Sequence, residues 1–231
     1  MKVELLSTWG DDWLICDVAR VSFDKRSEEY TEEQNVKLIN YLIKHKHTSC
    51  LRHPQLRFRI ECPIYVERQL FKSQIGMSAN SISGRYVDFS DSYDLPVELR
   101  KQSESSKQGS SDERIRLEIE SYLITKVGNK VEKDKELYEE LLREGVSKEQ
   151  ARVILPLCLN TKFIWTGSLL SFLHLFDLRI DSHAQKETRL VAEEMYRLIE
   201  ETGQFKHTLQ AWKNKDYELY LQLKKRFEGE V

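Results

Sequence analysis

The chain is 231 residues long, with 36 Lys and Arg against 38 Asp and Glu and a formal net charge of −2. That balance excludes a generally basic nucleic-acid binder and an acidic solvating tail. Charged residues reach 32%, above the usual ~25%, so long charged helices around a lean core are expected.

The N-terminal stretch MKVELLSTWGDDW has no long apolar run, and no segment approaches the ~18 apolar residues of a membrane span. Neither a signal peptide nor a membrane partner is expected. Cys16, Cys50, Cys62 and Cys158 are far apart and form no C-x-x-C pair, so they read as reduced thiols of a cytoplasmic protein. No two of the nine glycines are separated by a single residue. This excludes the G-x-G-x-x-G loop, and a P-loop is absent too.

In chain order, residues 2–6 and 13–18 read as strands around a Gly10-Asp11-Asp12 turn. Thr31 opens a helix with acidic residues in its first turn and Lys and His in its last. Val36, Ile39, Tyr41, Leu42 and Ile43 give that helix an apolar face. Residues 55–61 alternate strictly, with Leu56, Phe58 and Ile60 on one side and Arg57, Arg59 and Glu61 on the other, as in a half-buried strand. Pro63 suits the first position of a helix over 64–74. A small, polar loop then leads to a strand at about 84–89.

The Ser-, Asp-, Gln- and Lys-rich stretch 91–111 reads as a loop excursion. Helices follow at 112–126 and 132–144, with Gly145 as C-cap, and Ser147 and Gln150 form a capping box for a short helix before Pro156. Further helices are expected at 167–177, 183–201 and 205–227. The second is capped by Asp181 or Ser182, carries a core stripe of Leu190, Val191, Met195, Leu198 and Ile199, and ends at Gly203. Strands first and helices later give an α+β fold, a small and mostly antiparallel sheet with segregated helices, in one domain over residues 1–231.

Three polar clusters could carry chemistry. His45, His47, Cys50 and His53 crowd a helix end, but no second ligand pair stands at zinc spacing, so a ligand-binding loop or a polar helix end fits better than a metal. Gln69 and Lys72 share a helix face, followed by Ser78, Asn80, Ser81, Ser83, Gly84, Arg85 and Tyr86. Hydroxyls, amides and a guanidinium suit a phosphorylated ligand; a polar surface loop is the plainer alternative. Arg179, Asp181, His183 and Gln185 crowd a helix start, where an anion or an ordinary cap is possible. Asp181, Ser182 and His183 are too close in sequence for a nucleophilic relay.

In their order and spacing these clusters resemble the flavin-dependent thymidylate synthases. The likeness runs from Ala19-Arg-Val-Ser-Phe23 through His47-Thr-Ser-Cys-Leu-Arg-His53, PIYVERQLFK (63–72), Ser83-Gly-Arg-Tyr86 and Ala151-Arg-Val-Ile-Leu-Pro156. It continues through Phe163-Ile-Trp-Thr-Gly-Ser168 to Leu178-Arg-Ile-Asp-Ser-His-Ala-Gln-Lys-Glu187, and Lys107-Gln-Gly-Ser110 resembles the phage and bacterial branch. The resemblance implies reductive methylation of dUMP to dTMP. Methylenetetrahydrofolate gives the carbon, NADPH the hydride, and FAD, held without a Gly-rich fold, relays it. It also implies a homotetramer with active sites at subunit interfaces and no cysteine nucleophile.

Carried over by position, the resemblance assigns dUMP to Gln69, Lys72, Ser83, Gly84, Arg85, Arg152 and Arg179. The resemblance also makes Arg179 the expected catalytic residue, a permanent cation beside the uracil N3. FAD falls to His47, Ser49, Ser73, Gln74, Ile75, Asn80, Ser81, Ser168 and His174, and no metal is implied. The chain departs from the family at Lys72-Ser73-Gln74, where Arg-His-Arg is usual, at eight rather than seven residues before Ser83, and at Arg52 and Ser81, where Glu is frequent. Those departures leave open an altered pyrimidine nucleotide or reaction, or a non-catalytic nucleotide-binding paralogue.

Overall fold

The structure is a computed structural model describing residues 1–86, 92–104, 109–181 and 183–215. Its elements begin with β1 (Lys2–Trp9), α1 (Asp12–Arg20), α2 (Glu32–Lys44), β2 (Gln55–Pro63), α3 (Ile64–Leu70) and β3 (Met77–Ser81). They continue with β4 (Arg100–Gln102), β5 (Ser110–Arg114), α4 (Leu117–Arg143), α5 (Lys148–Ala151), β6 (Asn160–Ser168), α6 (Leu169–Arg179) and α7 (Lys186–Thr202). Residues 206–215 are helical as well. The main sheet runs β1-β2-β6-β3 with every pair antiparallel, and β4 and β5 form a separate ribbon. This is the expected mixed architecture.

Alternation sets the two faces of the sheet. Phe58 pairs with Trp165 and Ile60 with Phe163, and all four are at most 2% exposed. Opposite them, Glu61 meets Lys162 at 3.5 Å and Arg57 donates to Thr166 across the same pair of strands. Phe172 of α6 packs edge-on against Phe58, and Phe71 against Phe163. Leu169, Leu170, Phe172, Leu173, Leu175 and Phe176 are all buried, so α6 turns a broad apolar face to the core, while Ser171, His174 and Asp177 are left outside it. A polar lock joins distant parts of the chain. Asp12, 3% exposed, accepts from His207 N, Thr208 N and Thr208 Oγ1 at 2.8, 3.0 and 2.5 Å, capping helix 206–215.

Several expectations are corrected. Residues 13–18 are helical, not extended. Asp11 caps α1 by accepting from Leu14 N at 2.8 Å, and Asp12, Ile15, Cys16 and Arg20 fall on one buried face. Capping and the 3.6-residue period outweigh the β-prone composition. Pro63 both ends β2 and stands at the N-cap of α3, one position before the helix, and α3 stops at Leu70, short of 74. The strand after it is Met77–Ser81, earlier than expected; residues 84–86 turn and 87–91 lie outside the described residues. The stretch 91–111 contributes strands to the β4–β5 ribbon, although 105–108, and with them Lys107 and Gln108, are outside the description.

The helices expected at 112–126 and 132–144 are one helix, α4, which begins only at Leu117 because residues 110–114 pair as β5, and which the single interior glycine, Gly128, does not break. Gly145 takes φ +86° and closes its end, with Val146 N on Leu141 O, as the sequence indicates. Ser147 precedes α5 without a side-chain cap bond, so the helix forms but the capping box does not. The segment 167–177 begins as strand: Ser168 ends β6 and caps α6. The last long helix starts at Lys186, because Asp181 spends its carboxylate on His183 N instead of capping. Gly203 ends it at φ +69°, but Leu190 of its stripe is 46% exposed. Beyond 215 the expected C-terminal helix lies outside the described residues, as does Ser182.

Candidate active site

Three side-chain groups gather around α3 and α6. After α3 the chain turns sharply through Gly76, at φ +72°, and pairs as β3 with β6. That turn lays Lys72, Ser73, Gln74 and Ile75 over α6. Between them is a cleft of about 450 Å³, closed from the α6 side by Ser171, His174, Leu175, Asp177 and Leu178. Ser168 stands behind Ser171, Oγ to Oγ at 2.8 Å. Ile75 is 94% exposed at the rim. Of the expected flavin residues, Ser73, Gln74, Ile75 and His174 therefore share one cleft with Lys72, and Ser168 adjoins it.

The second group lies around Gln69. Its Nε2 donates to Gln185 Oε1, and Gln185 Nε2 donates to Glu187 at 3.0 Å. Arg100 of the β4–β5 ribbon closes the group on Glu187 at 3.0 Å. Burial alone pushes the Glu187 carboxyl up, but its backbone hydrogen bond and those from Arg100 and Gln185 outweigh this and hold it below its ordinary value.

The third is the end of α6. Arg179 is its last residue, and the buried Nε has no hydrogen-bond partner among the described residues. A buried guanidinium N–H without an acceptor is costly unless a ligand completes it.

The remaining candidates stand apart from the cleft lining. Asn80 and Ser81 lie on the exposed strand β3, and Ser81 donates to Glu67 at 2.7 Å. Ser83 Oγ accepts from Arg85 N at 3.3 Å, Gly84 is buried, and Arg85 lies over the Tyr86 ring. Arg152 is exposed on a 3₁₀ turn after α5. His47 and Ser49 are exposed after α2, with His47 near the Tyr41 and His45 rings. No group of three His, Cys, Asp or Glu among the described residues could hold a metal ion. The sequence reading did not assign Glu67, Arg100, Ser171 or Glu187. Glu67, two residues before Gln69, and Glu187, two residues after Gln185, both stand inside the stretches that carry the resemblance.

Comparison with known proteins places this arrangement. Residues 4–202 match the family model described as thymidylate synthase complementing protein. The curated flavin-dependent thymidylate synthase of Kosmotoga olearia is 37% identical over 193 residues, 82% of this chain and 81% of the relative. That of a Thermus thermophilus strain is 36% identical over 200 residues, 86% of this chain and 71% of the relative. Among solved structures, the UMP/dUMP methylase PolB of Streptomyces cacaoi, bound with 5-Br dUMP, has a TM-score of 0.80. That match covers 92% of this chain and 94% of the other at 24% identity, a likeness of fold. The fold and the family match together define a methyltransferase-type enzyme. The chain belongs to the flavin-dependent thymidylate synthase family.

Proposed function

We propose that the protein methylates dUMP reductively to dTMP, with methylenetetrahydrofolate as carbon donor, NADPH as reductant and FAD as bound cofactor. The donor's methylene carbon needs two more electrons to become a methyl group, so the folate leaves as tetrahydrofolate. Bound FAD would carry that reducing pair from NADPH. The cleft fits such a group: its volume is within the roughly 300–1,000 Å³ of cofactor sites, and it pairs apolar walls with a lysine, hydroxyls and an imidazole. Ser73, Gln74, Ile75, Ser168 and His174 would hold it, together with His47, Ser49, Asn80 and Ser81.

The observation that carries the reading is the unpartnered, buried Nε of Arg179, the residue after the cleft-lining Leu178. A uracil ring offers an imide N3 and two carbonyls, and a fixed guanidinium would stabilise negative charge there. Gln69, Lys72, Ser83, Gly84, Arg85 and Arg152 would hold the rest of the nucleotide, with the arginines on its phosphate. Because the 83–85 turn and Arg152 do not line the cleft, the site would be completed by neighbouring copies in a homotetramer.

The cysteines give no support to a thiolate attack on the ring. Cys16 and Cys62 are buried and pushed up to about 12 by burial, Cys158 is also raised by burial, and Cys50 is buried. Four free thiols favour a reducing, cytoplasmic setting, and no helix among the described residues is long and apolar enough to cross a membrane. The test is the purified protein's visible spectrum: flavin should be bound, and dUMP should perturb its absorbance. Colourless protein that takes up no FAD contradicts the proposal.

A further inference from the structure

Gln69 is gripped by a chain of side chains that ends in the β4–β5 ribbon. Its Nε2 donates to Gln185 Oε1, and Gln185 Nε2 donates to Glu187 Oε2 at 3.0 Å. Glu187 Oε1 accepts from Arg100 Nη2 at 3.0 Å, and Arg100 Nε donates to Ser110 Oγ at 2.7 Å. The Arg100 and Glu187 side chains are only 10% and 12% exposed.

Donor chemistry gives this chain a direction. An ionised carboxylate only accepts. Gln185 must therefore turn its NH₂ toward Glu187 and its oxygen away. That oxygen also only accepts, so Gln69 must answer with its NH₂. Gln69 Oε1 and the second amide hydrogen then have one defined orientation, and neither has a partner among the described residues. With a neutral residue at 187, both amides could turn over and still be paired, and Gln69 would present two faces instead of one.

We propose that Glu187, held by Arg100 of the ribbon, is a positioning residue that sets the amide orientation of Gln69 and so its grip on the substrate nucleotide. This rests on the function proposed above. The ribbon thus acts on the site from outside it, through an ion pair and one relay amide.

The test is a double-mutant cycle on the flavin-loaded full chain, with Glu187→Gln, Gln69→Ala and the pair. Glu187→Gln should raise the KM for dUMP about tenfold, with kcat changed less than about twofold and flavin content unchanged. In the Gln69→Ala background the same replacement should change KM by less than about twofold, because its route to the nucleotide is gone. An unchanged KM overturns the proposal. So does an effect of equal size in both backgrounds, which would mean that Glu187 acts on the fold and not through Gln69. Should Glu187→Gln fail to fold, Gln185→Met, which keeps the volume and removes the relay amide, is read in the same cycle against the same outcomes. Wild-type protein with no saturable response to dUMP would overturn the functional reading itself and this inference with it.

Discussion

The carboxylate of Glu67 on α3 accepts a hydrogen bond from Ser81 Oγ on β3 at 2.7 Å. The bond ties the helix that carries Gln69 to the strand that leads into Ser83, Gly84 and Arg85. It also brings a carboxylate to Ser81, the position at which the family resemblance leads one to expect Glu.

Burial pushes the Glu67 carboxyl above its ordinary value, while the Ser81 bond and the Arg68 charge pull the other way. The native state then binds this proton more readily than the unfolded chain. Ionisation therefore opposes folding, a cost absent below the unfolded value of ~4.3 and complete once pH exceeds the raised native value. Glu67→Gln keeps an acceptor for Ser81 and should raise Tm by about 1–3 °C near pH 8, with the gain vanishing near pH 4. Partial solvent exposure keeps the effect small. A loss of Tm near pH 8, or an equal gain at both pH values, contradicts this.

Gly76 makes the turn that lays Lys72–Ile75 over α6. At φ +72° it is in the left-handed region, and an added Cβ would lie 2.5 Å from Ser171 Oγ. Moving Ser171 Oγ aside would break its hydrogen bond with Ser168 Oγ. Gly76→Ala should cost about 2–3 kcal/mol and lower the flavin content of the purified protein. Gly203→Ala, also at positive φ but with nothing within 4 Å, should cost about 1 kcal/mol and leave flavin content unchanged. Denaturant melts and flavin-to-protein absorbance ratios read both.

Much of this fold is legible in the sequence where a single period dominates. Leu56, Phe58 and Ile60 announce β2, and Thr31 with the acidic turn after it announces α2, whose capping box to Gln34 forms. The same alternation runs through Phe163 and Trp165 of β6, whereas the helix expected over 167–177 takes in the last two residues of that strand, Gly167 and Ser168. The segment 13–18 misleads because Trp13, Ile15 and Val18 favour strand, while the deciding contact, Asp11 on Leu14 N, is a single hydrogen bond. Within the site, residues adjacent in sequence were found together, as with Ser73, Gln74 and Ile75. The contribution of Arg100 could not be read, since it reaches Glu187 across 87 positions through a two-stranded ribbon that composition presents as a polar loop.

Asp12 accepts from His207 N, Thr208 N and Thr208 Oγ1 together. Asp12→Ala takes the acceptor from two buried donors and one half-buried donor and should cost about 3 kcal/mol. Amide exchange in 206–215 should accelerate first, since the helix loses its N-terminal cap. A loss under about 1 kcal/mol in urea melts contradicts the assignment.

Arg179 separates substrate activation from cofactor binding. Arg179→Ala should lower dUMP-dependent turnover about 100-fold while the protein keeps its flavin, because the lost interaction is with the nucleotide ring. Equal loss of turnover and flavin would place Arg179 in the cofactor site instead.

The central claim is replacement of the hydrogen at C5 of dUMP by a methyl group, and tritium release from dUMP labelled at C5 reads that bond directly. The account predicts release that requires methylenetetrahydrofolate, NADPH and bound FAD together. NADPH oxidation by the flavin-loaded protein without tritium release, with every component present, would contradict it.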